Sequence, residues 1–156
     1  MNIGAKMKIY AYKAFGHDKT RLLDNLIGIS SLSKYSHTEL VFSDGLCFSS
    51  SGRDDGVRFR ELDPHPDRWD IFDLVITEAE ENQMRSMAEL YVKKKIKYDY
   101  IGAVTCGFNL CIHNKKFFCS EIVAIFLAFV FEMDGLPCTY SPGDVVKYIQ
   151  EPLTRL

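Results

Sequence analysis

The stretch Phe117–Phe131, reading FFCSEIVAIFLAFVF, constrains this chain more than any other. Apart from Ser120 and Glu121 it is apolar on every side, so a helix built from it has no face to give to water. The apolar run 122–131 falls well short of the roughly 20 residues that a bilayer-spanning helix needs. The expectation is therefore a helix buried in a protein core. At its beginning, just after the polar segment Asn114-Lys115-Lys116, sits Cys119. A helix N-terminus carries unpaired N–H groups and partial positive charge, which favour a thiolate. A cysteine held rigidly at such a place suits a nucleophile, and it equally suits ordinary core packing.

The whole chain, 156 residues with 47% hydrophobic and 13% aromatic content, fits one domain, 1–156, able to bury a core. A net charge of −2 gives no general attraction to nucleic acid or to an anionic surface. The five cysteines, Cys47, Cys106, Cys111, Cys119 and Cys138, are odd in number and irregularly spaced, and the N-terminus lacks the apolar core of a signal peptide. These features predict free thiols in a reducing cytoplasm, in a soluble protein without stable membrane insertion.

Lys8–Ala14, aromatic and aliphatic with a loose alternation, and the alternating Val57–Leu62 read as strands, and so does Trp69–Ile76. Ser36–Phe42 and Leu46–Ser51 flank the turn signal Ser43-Asp44-Gly45 and predict a hairpin. A two-residue Asp44-Gly45 turn sets His37, Glu39 and Val41 on one face with Phe48 and Ser50; a longer loop brings Ser49 there instead. Leu22, Leu23, Leu26 and Ile27 have helical spacing, with Asp18 or Thr20 as cap. Thr77-Glu78-Ala79-Glu80 matches a capping box for a helix to about Lys95. Tyr98–Val104 suggests an aromatic turn or short helix, and Ser141-Pro142 starts a terminal helix. The fold class is α+β, a small antiparallel sheet packed against helices, one of them buried with the cysteine at its N-terminus.

A thiol nucleophile needs an imidazole to exchange its proton and a group to orient that imidazole. His37, at the head of a strand, is the best candidate base. His17, His65 and His113 lie in loops. Ser36-His37-Thr38-Glu39-Leu40-Val41, followed much later by Phe118-Cys119-Ser120-Glu121-Ile122-Val123, resembles the circularly permuted papain-like cysteine hydrolases. The YiiX branch is the most similar, itself related to NlpC-type peptidases and lecithin–retinol acyltransferases. The histidine strand precedes the cysteine helix, as in the permuted group, and Tyr98-Asp99-Tyr100 and Gly56-Val57-Arg58 fit the family layout.

That resemblance implies a permuted papain-like fold and a thiol hydrolase, a cysteine peptidase or amidase, acting on a peptide, isopeptide or small amide or ester substrate. It implies Cys119 as nucleophile, His37 as general base and the Cys119 N–H in an oxyanion hole, with no cofactor and no metal. For the orienting group Glu39 is the first choice, since it shares the His37 face and carries charge, with Ser50 and Ser49 as alternatives. Glu121 is expected to be structural, satisfied near the helix start. The same site used on lipid esters, as in the acyltransferase relatives, is the alternative activity; a binding domain of the same fold without activity is the non-enzymatic one. Cys106, Cys111, His113 and Cys119 supply zinc-type ligands, but their spacing lacks the two-residue knuckle of a zinc site. Tyr98, Tyr100 and Phe108 suit either a substrate groove or core packing.

Overall fold

Alternating strands with one strongly apolar face must stack that face on something else, and here it is a layer of helices. The computed structural model describes residues 4–14, 33–108, 110–111 and 115–156. Five strands, β1 (Ala5–Lys13), β2 (Tyr35–Val41), β3 (Cys47–Ser51), β4 (Gly56–Arg60) and β5 (Trp69–Ile76), form one antiparallel sheet in the order β4-β3-β2-β1-β5. Met7, Ile9, Leu40, Phe42, Phe48, Leu74 and Ile76 bury the apolar face. The predicted helix at 18–27 lies outside the described residues, as do His17 and His113.

Helix α1 (Glu78–Lys93) opens on the predicted capping box, the Thr77 hydroxyl accepting from Glu80 N–H while the Glu80 carboxylate accepts from Thr77 N–H. It buries Met84 and Ala88 on the sheet. Helix α2 (Tyr100–Thr105) is capped by Asp99, whose carboxylate accepts from Gly102 N–H at 3.0 Å. Helix α3 (Cys119–Ala128) is the apolar stretch, and Ile122, Val123, Ala124, Phe126 and Leu127 are wholly buried, as a helix without a polar face requires. Phe126 packs on Phe48 with ring centres 4.8 Å apart and planes tilted by 45°, fixing α3 against β3. Helix α4 (Pro142–Gln150) begins on a second capping box, Ser141 with Asp144, and lays Val145 into the same core.

The β2–β3 connection is longer than two residues. Phe42 N–H donates to Leu46 O at 3.0 Å and Gly45 takes a positive φ of 88°, leaving Ser43-Asp44-Gly45 as the loop. Val41 therefore pairs with Cys47 and Leu40 with Phe48. Continuing that register sets Glu39 beside Ser49, so Phe48 and Ser50 face away from His37. The odd-length loop flips the face, as a one-residue slip must.

The expectation of free thiols holds for Cys47, Cys106 and Cys119 but not for the remaining two. Cys111 and Cys138, 27 residues apart, form a disulfide with Cα atoms 5.4 Å apart. Odd cysteine count and irregular spacing hid a pair that only the approach of α2's trailing segment to Pro137–Thr139 creates. A disulfide belongs with an oxidising compartment, which weighs against the reducing setting inferred from spacing. No helix among the described residues is long and apolar enough to cross a membrane.

Candidate active site

His37, Glu39 and their supports are set by strand register. Tyr12 of β1 pairs with His37 on one side and with Trp69 of β5 on the other, so the three rings form a row across the sheet. Trp69 stands edge-on to Tyr12 at 5.0 Å and to His37 at 6.2 Å between ring centres. Immediately before His37 the β1–β2 register slips: Tyr12 pairs with His37 and Lys13 with Tyr35, which leaves Ser36 as an extra residue. A bulge of this kind bends a strand and re-aims the neighbouring side chain. The Ser36 carbonyl accepts from the Cys119 thiol, with Sγ at 3.9 Å.

His37 thus meets two partners. Its Nε2 lies 2.6 Å from Glu39 Oε1. Its imidazole is also hydrogen-bonded to Cys119. With Nε2 committed to Glu39, Nδ1 is the nitrogen left for the thiol. Burial acts to hold the imidazole pKa down, but the Cys119 sulfur and the Glu39 carboxylate outweigh it and raise it to about 10. The sulfur and carboxylate both favour imidazolium. The side chain is 18% exposed, which gives the pair a solvent-facing edge, whereas Cys119 is buried.

Glu39 is 1% exposed, where a lone carboxylate would take up a proton. Burial pushes its pKa up, yet His37 and Arg58 bring it down to about 2. Arg58 Nη1 donates to Oε2 at 2.7 Å and Nη2 to Oε1 at 2.6 Å, a bidentate clamp. Of the orienting candidates weighed from sequence, only Glu39 is brought to His37. Ser49 Oγ donates to Thr38 O at 2.7 Å, and Ser50 Oγ to Phe117 O at 2.7 Å. The latter bond ties β3 to the residue two before Cys119 and so sets the height of α3 over the sheet.

At the start of α3, Phe118 is the N-cap residue and contributes no side-chain hydrogen bond, so no capping side chain takes the first-turn amides. Glu121 reaches back to the Phe118 N–H, half of a capping box. Burial, offset in part by that bond and reinforced by nearby Asp99, raises the Glu121 carboxyl pKa to about 7. That bond lies near the helix start, where the sequence places it.

The cysteines separate by environment. Burial, followed by the Glu39 charge, pushes Cys47 up to about 12, so it remains a thiol. Cys106 donates to Ala103 O at 3.3 Å inside a small cluster with Tyr98, Ala103 and Phe118. Tyr98 therefore belongs to core packing, while Tyr100 and Phe108 are exposed. With Cys111 in the disulfide, the zinc-type set considered from sequence does not assemble.

Arg58 and Trp69 were not identified as site residues from sequence. The alternation Val57-Arg58-Phe59 marks Arg58 as facing away from the apolar side, but nothing local says that it reaches a glutamate nineteen residues earlier. Comparison with protein-family models, with curated proteins and with solved structures finds no match to this chain.

Proposed function

We propose that the protein is a cysteine hydrolase that cleaves an amide or isopeptide bond through a thioester on Cys119. One observation carries the reading: a histidine hydrogen-bonded on one side to a thiol at a helix N-terminus and on the other to a buried, ionised carboxylate. The permuted order of the His37 strand and the Cys119 helix, which resembles the YiiX-like papain-related hydrolases, supports it.

In this scheme the proton of the pair sits on His37 Nδ1, and the Cys119 sulfur attacks the carbonyl carbon. The oxyanion is met by backbone N–H groups at the start of α3, aided by the helix dipole. As the C–N bond breaks, the imidazolium returns the proton to the leaving amine. His37 then takes a proton from water, whose oxygen attacks the thioester, and thiolate and acid are released. Glu39 keeps the imidazole oriented and offsets its positive charge throughout.

The same chemistry on lipid esters is a second reading, favoured by the exposed apolar side chains of Ile101, Phe108 and Leu110. They lie along and just beyond α2, whose Ala103 packs beside Phe118. Electrophilic probes with peptide and with acyl-lipid recognition elements, compared between wild type and Cys119→Ala, separate the two. Labelling of Cys119 by peptide probes supports the amidase, and labelling by lipid probes alone transfers the assignment to the ester reading. A Cys119 that labels no faster than Cys106 with any probe removes both.

A further inference from the structure

A largely buried arginine on a strand two removed from the histidine has no part in the hydrolysis scheme, yet it makes three hydrogen bonds to carboxylates, two of them to Glu39. Arg58 lies on β4 with only 13% of its side chain exposed. Strands repeat every ~4.8 Å, so β2 lies about 10 Å away, across the intervening β3. Arg58 pairs in register with Ser49 of β3, and the β2–β3 register, carried one residue past Leu40–Phe48, sets Ser49 beside Glu39. Ser49 is buried, short, and has its hydroxyl engaged by Thr38 O, so the guanidinium has room to pass over it. At the outer end Arg58 Nε donates to Asp54 Oδ2 at 2.8 Å, on the β3–β4 turn. From surface to thiol the groups run Asp54, Arg58, Glu39, His37, Cys119, acid and base alternating at each step.

We propose that Arg58 is a positioning residue for this site, reaching over Ser49 to keep Glu39 ionised and fixed so that Glu39 in turn orients His37 toward Cys119. A carboxylate this deep needs a cation that does not leave when the proton moves. His37 cannot be that cation, because its charge comes and goes during each turnover. Arg58 is charged at every working pH and its planar fork fixes both carboxylate oxygens, a geometry that lysine lacks. The inference rests on the reading of Cys119 and His37 as a reacting pair.

Removal of Arg58 has two opposing consequences. If its main effect is to keep Glu39 ionised, its loss deprives the imidazolium of its counter-charge, and Cys119 becomes reactive only at higher pH. If it merely dilutes the Glu39 charge, its loss makes His37 more basic and the profile moves lower. Other titratable groups on this face of the sheet include Tyr10 and Tyr12 on β1, Cys47 on β3 and Arg60 on β4. They are unchanged by the substitutions below and set a common background.

The test is the rate of Cys119 alkylation by iodoacetamide between pH 5 and 9, mapped by mass spectrometry. It is run on the wild type, Arg58→Met, Arg58→Lys, His37→Ala, Glu39→Gln and the double variant Glu39→Gln/Arg58→Met. Loss of a charge-assisted, bidentate contact predicts for Arg58→Met a roughly tenfold slower reaction at pH 6 and a profile displaced to higher pH. Arg58→Lys recovers part of the rate. In the Glu39→Gln background Arg58→Met changes the rate less than about twofold, because its route of action has been removed. An unchanged or downward-displaced profile in folded Arg58→Met overturns the proposal, and so does a further tenfold loss in the double variant. If Arg58→Met does not fold, wild-type behaviour of Arg58→Lys overturns it. Slowing by His37→Ala with no effect at Arg58 removes this inference alone. No effect of His37→Ala removes the reacting-pair reading on which it rests.

Discussion

Glu39→Gln replaces one oxygen by an amide nitrogen and deletes one charge, with almost no change of shape. In the native site the carboxylate accepts three hydrogen bonds: from His37 Nε2 at 2.6 Å, from Arg58 Nη2 at 2.6 Å and from Arg58 Nη1 at 2.7 Å. A glutamine has one acceptor oxygen. Placed toward His37 it keeps the contacts to Nε2 and Nη2, but its NH₂ then faces the Nη1 donor, and no flip relieves this. One charge-assisted bond of about 1.5–3 kcal/mol is lost. Arg58 is also left buried with only Asp54 as an anionic partner. Breaking a buried pair outright costs about 3–5 kcal/mol; with two contacts retained, about 3 kcal/mol is the expected loss of stability. For a chain of this size that lowers Tm by roughly 6–12 °C. The imidazolium formed when Cys119 ionises loses its counter-charge as well. A cost of about 2 kcal/mol there slows Cys119 alkylation at neutral pH roughly thirtyfold. Thermal unfolding followed by circular dichroism and mass-mapped iodoacetamide labelling measure the two quantities on one sample. A Tm within about 2 °C of wild type together with alkylation within about twofold refutes the assignment of Glu39 as the ionised partner of His37.

The same pair predicts how stability depends on pH. Glu39 is held down from 4.5 to about 2, so its contribution is complete above pH 4.5 and is lost as pH falls toward 2. His37 is held up from 6.5 to about 10, so its contribution is complete below pH 6.5 and is lost as pH rises toward 10. Tm against pH should be highest between 4.5 and 6.5, and His37→Ala should flatten the alkaline side; an unaltered alkaline slope in that variant contradicts the pairing. At Gly56, φ is +133° and a Cβ would run into the Ile96 carbonyl, the acceptor of the Val57 N–H bond that joins β4 to the end of α1. Gly56→Ala is expected to destabilise by about 3 kcal/mol or more, read by denaturant unfolding, and a loss under about 1 kcal/mol would mean that this turn is not as described. Cys138→Ser opens the loop closed by the Cys111–Cys138 disulfide, and its chain entropy corresponds to about 3–4 kcal/mol. Oxidised wild type should be more stable than the variant by about that amount, and the gap should vanish in excess dithiothreitol.

Local patterns were enough for most elements. Trp69–Ile76 reads as a strand and is β5 in full, Thr77 and Glu80 form the capping pair that their spacing signals, and Ser141-Pro142 opens α4. Such features depend on residues within one turn or one strand of each other. The side-chain face across the β2–β3 hairpin was decided by the length of its loop, and Asp44-Gly45 permits both two and three residues. The bulge at Ser36 is invisible for a similar reason: it records a mismatch between β1 and β2, which no single strand contains.

By itself, the chain's order of residues determined that the apolar helix within Phe117–Phe131 must be buried, that Cys119 begins that helix, and that His37 and Glu39 share one side of a strand. Those are consequences of hydrophobic burial and of the two backbone periods, which act along the chain. Only the tertiary structure decided that His37 and Cys119 meet, that Glu39 rather than Ser49 or Ser50 holds the imidazole, that Arg58 crosses β3 to clamp it, and that Cys111 finds Cys138. Each of these contacts joins residues on different elements, or selects among residues already close. Strand order, register and the height of α3 above the sheet set those distances, and no local pattern encodes them.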